Sequence, residues 1–178
     1  MNNFGCRFSL YPMTDNFIGQ ILGSLAKNDS SAVYANTDAI STVYRGSVES
    51  VTDAVKGLFV NAYKDGVHMR IEGGFSNSVT FPDAPRSCDT PNKDKIRDIH
   101  FPVKCMMTVY SDEKGKAAFE KAKDNFTAEM REIPYGTRFT GDVGEIFDCI
   151  EKVILALDNA GCIYTLRFVM NCNSPTRE

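Results

Sequence analysis

Residues 40–71, ISTVYRGSVESVTDAVKGLFVNAYKDGVHMRI, align without a gap against residues 135–166, YGTRFTGDVGEIFDCIEKVILALDNAGCIYTL, at a constant offset of 95 positions. Thr42 falls on Thr137, Tyr44 on Phe139, Gly46 on Gly141, Val48 on Val143, Asp53 on Asp148, Val55 on Ile150 and Gly66 on Gly161. Identity is low, yet in both copies one glycine precedes and another follows the same long helical pattern. Self-similarity at a fixed offset marks a duplicated supersecondary unit.

Each copy runs through the same order of periodicities. In the first, residues 5–11 alternate as a strand. Thr14 or Asp15 can cap a helix to about residue 27, with apolar positions Phe17, Ile21, Leu22 and Leu25. Short strands are expected at 31–36 and 40–45. A helix over 47–64 then buries Val51, Val55, Leu58, Phe59 and Ala62, stops at Asp65-Gly66, and gives way to a strand over 67–73. The second copy predicts strand 102–110, helix 112–124 and strands 126–132 and 136–140. Its next helix is capped by Asp142 with Glu145 as reciprocal partner, presents Ile146, Ile150, Val153 and Leu157, and leads through Gly161 to strand 162–170.

Strand, helix, strand, strand, helix, strand is the ferredoxin-like order. The expected fold class is therefore α+β: two tandem ferredoxin-like (βαββαβ) modules with antiparallel sheets. They occupy 1–76 and 101–178, with 77–100 as a linker or packed loop of Pro and polar turn residues. Both helices of such a module cover one sheet face and leave the other open, so the copies should dock sheet to sheet or edge to edge.

Composition narrows the function. The chain has 178 residues, with 20 Lys plus Arg against 23 Asp plus Glu and a formal charge of −3. That balance supplies no broad basic field for nucleic acid or an anionic membrane. No apolar run approaches the roughly 18 residues needed to cross a bilayer, and the start lacks a basic segment followed by an apolar one. The six cysteines (6, 88, 105, 149, 162 and 172) form no C-x-x-C pair; the even count permits disulfides, yet four of the six sit among apolar neighbours and read as small buried hydrophobes in a reducing, cytoplasmic setting. With only two histidines, no metal site is expected. His68 is either a sheet-surface residue or a ligand contact, and His100 is a polar surface residue. Glycine-rich phosphate loops and a G-x-S-x-G elbow are missing. No catalytic constellation emerges, so an enzyme is the weaker expectation, and a phosphate preference would need a basic site that the sequence barely offers.

Polarity concentrates in residues 36–46, which join two strands of the first copy. Thr37, Asp38, Ser41, Thr42 and Arg45 supply hydroxyls, a carboxylate and a guanidinium along one hairpin. One reading is a turn whose Asp bonds its own backbone; the other is a small polar pocket for a heterocycle. Ser41, Val43 and Arg45 point one way, Thr42 and Tyr44 the other. Arg7 and Ser9 on the first strand join whichever group faces the open side. In the second copy Asp38 becomes Ile133, Ser41 becomes Gly136 and Arg45 becomes Thr140. One competent site per chain is expected, in the first module, with the second module's site degenerate.

The opening CRFSLYPM (Cys6 to Met13), NTDAISTVYRG (Asn36 to Gly46), AYKDG (Ala62 to Gly66) and the His68-Met69 step resemble the YkoF family of tandem ferredoxin-like proteins. The first copy carries most of the match; the second matches in layout. The resemblance implies non-catalytic binding of thiamine or its hydroxymethylpyrimidine moiety, uptake or salvage of the vitamin, a link to a vitamin transporter, and a homodimer. The heterocycle is then a ligand, and no catalytic cofactor is implied. Carried onto this chain, the family pattern points to Arg7, Ser9, Thr37, Asp38, Ser41, Thr42 and Arg45, and to the run Gly74-Phe75-Ser76. Family members continue there with a Cys-Pro-Gly-Asp turn, where this chain reads Asn77-Ser78-Val79-Thr80. An aminopyrimidine would pair its amine and ring nitrogens with a carboxylate and hydroxyls, and Tyr44, Met69 and Phe75 are the candidate walls for its ring. The alternatives are a regulatory ferredoxin-like module for another small metabolite, such as an amino acid, and an uncharacterised enzyme.

Overall fold

A computed structural model describes residues 4–78 and 89–176. The first module comprises β1 (Gly5–Pro12), α1 (Phe17–Lys27), β2 (Tyr34–Thr37), β3 (Thr42–Arg45), α2 (Val48–Ala62) and β4 (Met69–Ser76). The short helix α3 (Lys93–Ile96) follows. The second module comprises β5 (Pro102–Tyr110), α4 (Glu113–Lys123), β6 (Glu129–Ile133), β7 (Gly136–Asp142), α5 (Val143–Asn159) and β8 (Thr165–Cys172).

The copies dock edge to edge. One eight-stranded antiparallel sheet runs β2-β3-β1-β4-β8-β5-β7-β6, and β4 pairs with β8 over its full length, from Met69 opposite Cys172 to Ser76 opposite Thr165. This seam explains why β4 extends to Ser76 instead of ending near residue 73. The Gly73-Gly74 pair, placed by sequence at a strand end, is mid-strand. A Cβ on Gly73 would collide with the Arg7 carbonyl oxygen, so β1 lies too close for a side chain there.

Helices cover one face. Strand residues that point to them are apolar and buried: Cys6 and Phe8 on β1, Met69, Ile71 and Phe75 on β4, Leu166, Phe168 and Met170 on β8, Val103, Cys105 and Met107 on β5. The α2 and α5 positions expected to be buried all are. Ser47 caps α2 by accepting from the Ser50 amide, and Gly66 (φ 73°) and Gly161 (φ 65°) supply the left-handed turns after α2 and α5. Two local expectations differ. Asp142 does cap α5, accepting from the Gly144 amide, but Glu145 turns away to accept from Thr127 Oγ1, so the reciprocal bond is absent. Helix α1 packs through its polar side: Gln20 Nε2 donates to the Ala62 carbonyl at 2.7 Å and Ser24 Oγ to the Leu58 carbonyl at 2.6 Å. Leu22 and Leu25, expected in the core with Phe17, stay exposed alongside it and Ile18.

The segment after β4 is anchored by Asn92, fully buried, which donates to Asp53 Oδ2 from both its amides and accepts from the Asp29 amide. The five described cysteines are free and buried, and burial pushes the thiols of Cys6, Cys105, Cys149 and Cys172 up, as hydrophobes rather than nucleophiles. Cys88, Val79 and Thr80 lie outside the described residues. Among the described residues no helix is long and apolar enough to cross a membrane, and no group of His, Cys, Asp and Glu is arranged for a metal.

Candidate functional site

The uncovered sheet face is polar. Strand register sorts its side chains into rows: Arg7 lies opposite Val43 on one side and Gly74 on the other, and Gly74 lies opposite Arg167. In the next row Ser9 faces Glu72. With no side chain at Gly74, a depression of about 380 Å³ opens between the Arg7 and Arg167 side chains. Arg7, Ser9, Ile40, Ser41 and Glu72 border it from the first module; Tyr110, Thr165 and Arg167 come across the seam. A second recess adjoins it, bordered by Gly5, Val43, Arg45, Ser76 and Ser78.

The hairpin between β2 and β3 forms one wall. Asp38 Oδ1 accepts from the Ile40 amide at 2.8 Å and the Ser41 amide at 2.9 Å, while Oδ2 takes the Arg7 guanidinium at 2.6 Å. The backbone amides of Ile40 and Ser41, then Arg7, hold this carboxyl at about 2, well below the usual range. Ser9 Oγ donates to the Ile40 carbonyl at 3.2 Å, tying the turn to β1. Asp38 thus makes the backbone turn and also orients Arg7, so both of its oxygens are already engaged. The Ser41 hydroxyl differs: it is shielded from solvent and has no hydrogen-bond partner among the described residues. A shielded hydroxyl in that condition is one that a ligand's polar atom would satisfy.

The remaining sequence-selected residues are dispersed. Arg45 is buried at the adjoining recess, and Ser76 Oγ there donates to the Tyr164 carbonyl at 2.8 Å. Tyr44, Met69 and Phe75 point into the helix layer at 2%, 1% and 0% exposure, so none borders the cleft. Tyr44 shares a face with Cys6, its register partner, and burial raises its phenol. Thr42 lies on that same side, its Oγ1 3.0 Å from that of Thr37 across the hairpin. His68 borders a different cavity, on the second module's half of the face. Glu72, Tyr110, Thr165 and Arg167 are the cleft residues that sequence reasoning missed. Alternation along β4 puts Glu72 on the face of Gly74, and extending the 95-residue offset by one position pairs Glu72 with Arg167.

A seamed pair of ferredoxin-like modules, with one open face carrying a polar, glycine-floored cleft, is the architecture of a small-molecule binding module; among the described residues the cleft lacks a histidine or cysteine that could act as nucleophile or metal ligand. The chain belongs to the YKOF-related family, whose model matches residues 3–82 and 113–177. It is also 31% identical over 184 aligned residues to the YkoF protein of Bacillus subtilis (strain 168), a protein designated as a candidate HMP/thiamine-binding protein, with 98% of this chain and 92% of that one covered.

Proposed function

We propose that the chain binds thiamine or its hydroxymethylpyrimidine portion in the Gly74 cleft, without chemistry, and serves cytoplasmic uptake or salvage of the vitamin beside a transporter. Family membership supports the ligand class. The observation that carries the reading is the cleft itself: a shielded, unpartnered Ser41 hydroxyl, the Glu72 carboxylate and the Tyr110 ring all border one cavity of heterocycle size. Glu72 takes the part first assigned to Asp38. Its carboxylate meets the exocyclic amine or the thiazolium charge, since the Asp38 carboxylate is neutralised by Arg7. Tyr110, 56% exposed, supplies the ring wall in place of the buried Tyr44. On this reading the first module, 1–76, binds with help from β5 and β8 of the second. The second module has no equivalent vitamin site, because Ile133, Gly136 and Val169 replace Asp38, Ser41 and Gly74. The exposed apolar residues of α1 favour association as a homodimer.

Calorimetric titration tests this. Thiamine and hydroxymethylpyrimidine should each bind at one site per chain, and Glu72→Gln should weaken thiamine about tenfold or more. Absence of binding to both compounds, two equivalent sites per chain, or an unchanged affinity in Glu72→Gln would reject the assignment.

A further inference from the structure

Glu72 and Arg167 hold the same position in the two copies, at the offset of 95, and the repeat gives them opposite charges. The β4–β8 seam brings these twins together. Glu72 lies opposite Val169 and Arg167 opposite Gly74, so the two are diagonal neighbours on the open face, with about 7–8 Å between their backbone positions. Both border the first cleft. They do not form an ion pair with each other, and neither has one elsewhere among the described residues.

The charge around the cleft singles out Arg167. Among the described lining residues, the charged ones are Arg7, Glu72 and Arg167. Arg7 is neutralised by Asp38 at 2.6 Å, which leaves one carboxylate and one guanidinium at the cleft. The strand neighbours of Arg167 offer its charge no partner. Gly74 flanks it on β4, and Thr108 flanks it on β5 with its hydroxyl donated to the Tyr135 carbonyl at 2.6 Å. On its far side lies the cavity that His68 borders. The other charged side chains described there are Arg70, Lys104, Arg138 and again Glu72, so no second carboxylate draws the guanidinium away from the cleft.

We propose that Arg167 is a specificity-determining residue of this cleft: it opposes the charge of a cationic ligand and so sets the ratio between thiamine and the neutral hydroxymethylpyrimidine. The inference rests on the reading of the cleft as the vitamin site. The two compounds share the aminopyrimidine and differ in the thiazolium, which carries a permanent positive charge. Glu72 alone would attract any organic cation that fits. A guanidinium beside it offsets most of that pull and leaves recognition to the hydrogen bonds of the ring. A neutral ring loses nothing to the charge of Arg167, whereas the thiazolium meets a like charge. Arg167 is exposed, so water screens the repulsion and the effect is modest, about threefold in affinity.

Calorimetric titrations of the full chain and of Arg167→Gln test this, with three ligands: thiamine, hydroxymethylpyrimidine, and a thiamine analogue whose thiazolium is replaced by an uncharged thiophene. In Arg167→Gln thiamine should tighten about threefold relative to both neutral compounds, and the gain should shrink as salt is raised. Arg167→Lys, which keeps the charge, should hold the wild-type ratio. Lys121→Gln, the same loss of charge on the exposed surface of α4, should hold it too. A melting curve establishes that each variant is folded, and Arg167→Met replaces Arg167→Gln if that variant is not. The role of Arg167 is overturned by an unchanged ratio in the folded neutral variant, by an equal gain for the thiophene analogue, or by the same gain in Arg167→Lys or Lys121→Gln. Wild-type binding of thiamine and the pyrimidine together with any of those results leaves the vitamin site standing; binding of neither compound removes the site and this role at once.

Discussion

Asp38 sets the geometry of the first cleft although it borders none of it. Its carboxylate accepts the Ile40 and Ser41 amides and pairs with Arg7, and these contacts lower its pKa from the ordinary carboxylate value to about 2. The sign follows from linkage. A carboxyl whose folded pKa is depressed stabilises the fold above its unfolded pKa of about 3.9, and that contribution is lost as pH falls through about 2. The hairpin is therefore fully set at neutral pH. A carbon-detected NMR titration should place the Asp38 midpoint near 2, and a midpoint near 4 would show that the turn does not form. Legibility of the site follows the same logic. Arg7, Ser9 and Ser41 were readable because alternation puts them on one face and composition marks them as polar. Tyr44, Met69 and Phe75 were aromatic or soft residues near the right positions, but the face they occupy depends on where the helices lie, which no short stretch of sequence states. Glu72 and Arg167 border one cleft because β4 pairs with β8, a contact between segments more than ninety residues apart in the chain.

The elements were legible in order and type because each strand and helix carries its own period and its own punctuation, such as Ser47 before α2 and Gly66 after it. Helix α1 shows where that reading fails. Of its expected apolar positions, Phe17, Leu22 and Leu25 have the spacing of a buried face, yet they are 49%, 59% and 40% exposed, and Ile18 beside them is exposed too. Gln20 and Ser24 face α2 instead, satisfied by the Ala62 and Leu58 carbonyls. Met13 extends the exposed stripe, the surface on which the proposed homodimer would associate. Leu22→Lys should leave monomer stability within about 0.5 kcal/mol, since the side chain is already solvated. In sedimentation velocity the same change should shift the protein from dimer to monomer; a wild-type monomer, or a dimer in the variant, would remove α1 from the interface.

At the scale of the whole molecule, the β4–β8 seam makes two modules of marginal size into one structure. Alone, each would expose an eight-residue edge strand and bury only about 60% of its unfolded surface. Together they share a continuous apolar layer: Phe75 stacks on Phe168 with ring centroids 5.1 Å apart, and Ile71 lies opposite Met170. Above them α2 meets α5, with Phe59 6.4 Å from Phe147, and Phe59 also approaches Phe101 at the start of the second module. Removing Phe168, which is fully buried at the centre of the seam opposite Gly73, should cost about 3–5 kcal/mol, because the cavity lies between strands pinned by their ladders and cannot collapse. The loss should fall on both modules equally. Urea unfolding followed by hydrogen exchange of α2 and α5 separately should give one coincident transition in the wild type and one, at lower urea, in Phe168→Ala. Separate transitions in the wild type, or a variant that loosens α5 alone, would mean that each module folds by itself and the seam merely joins them. Both open-face cavities take residues from both sides of the seam, so in that case the seam would position the cleft residues without holding up the fold.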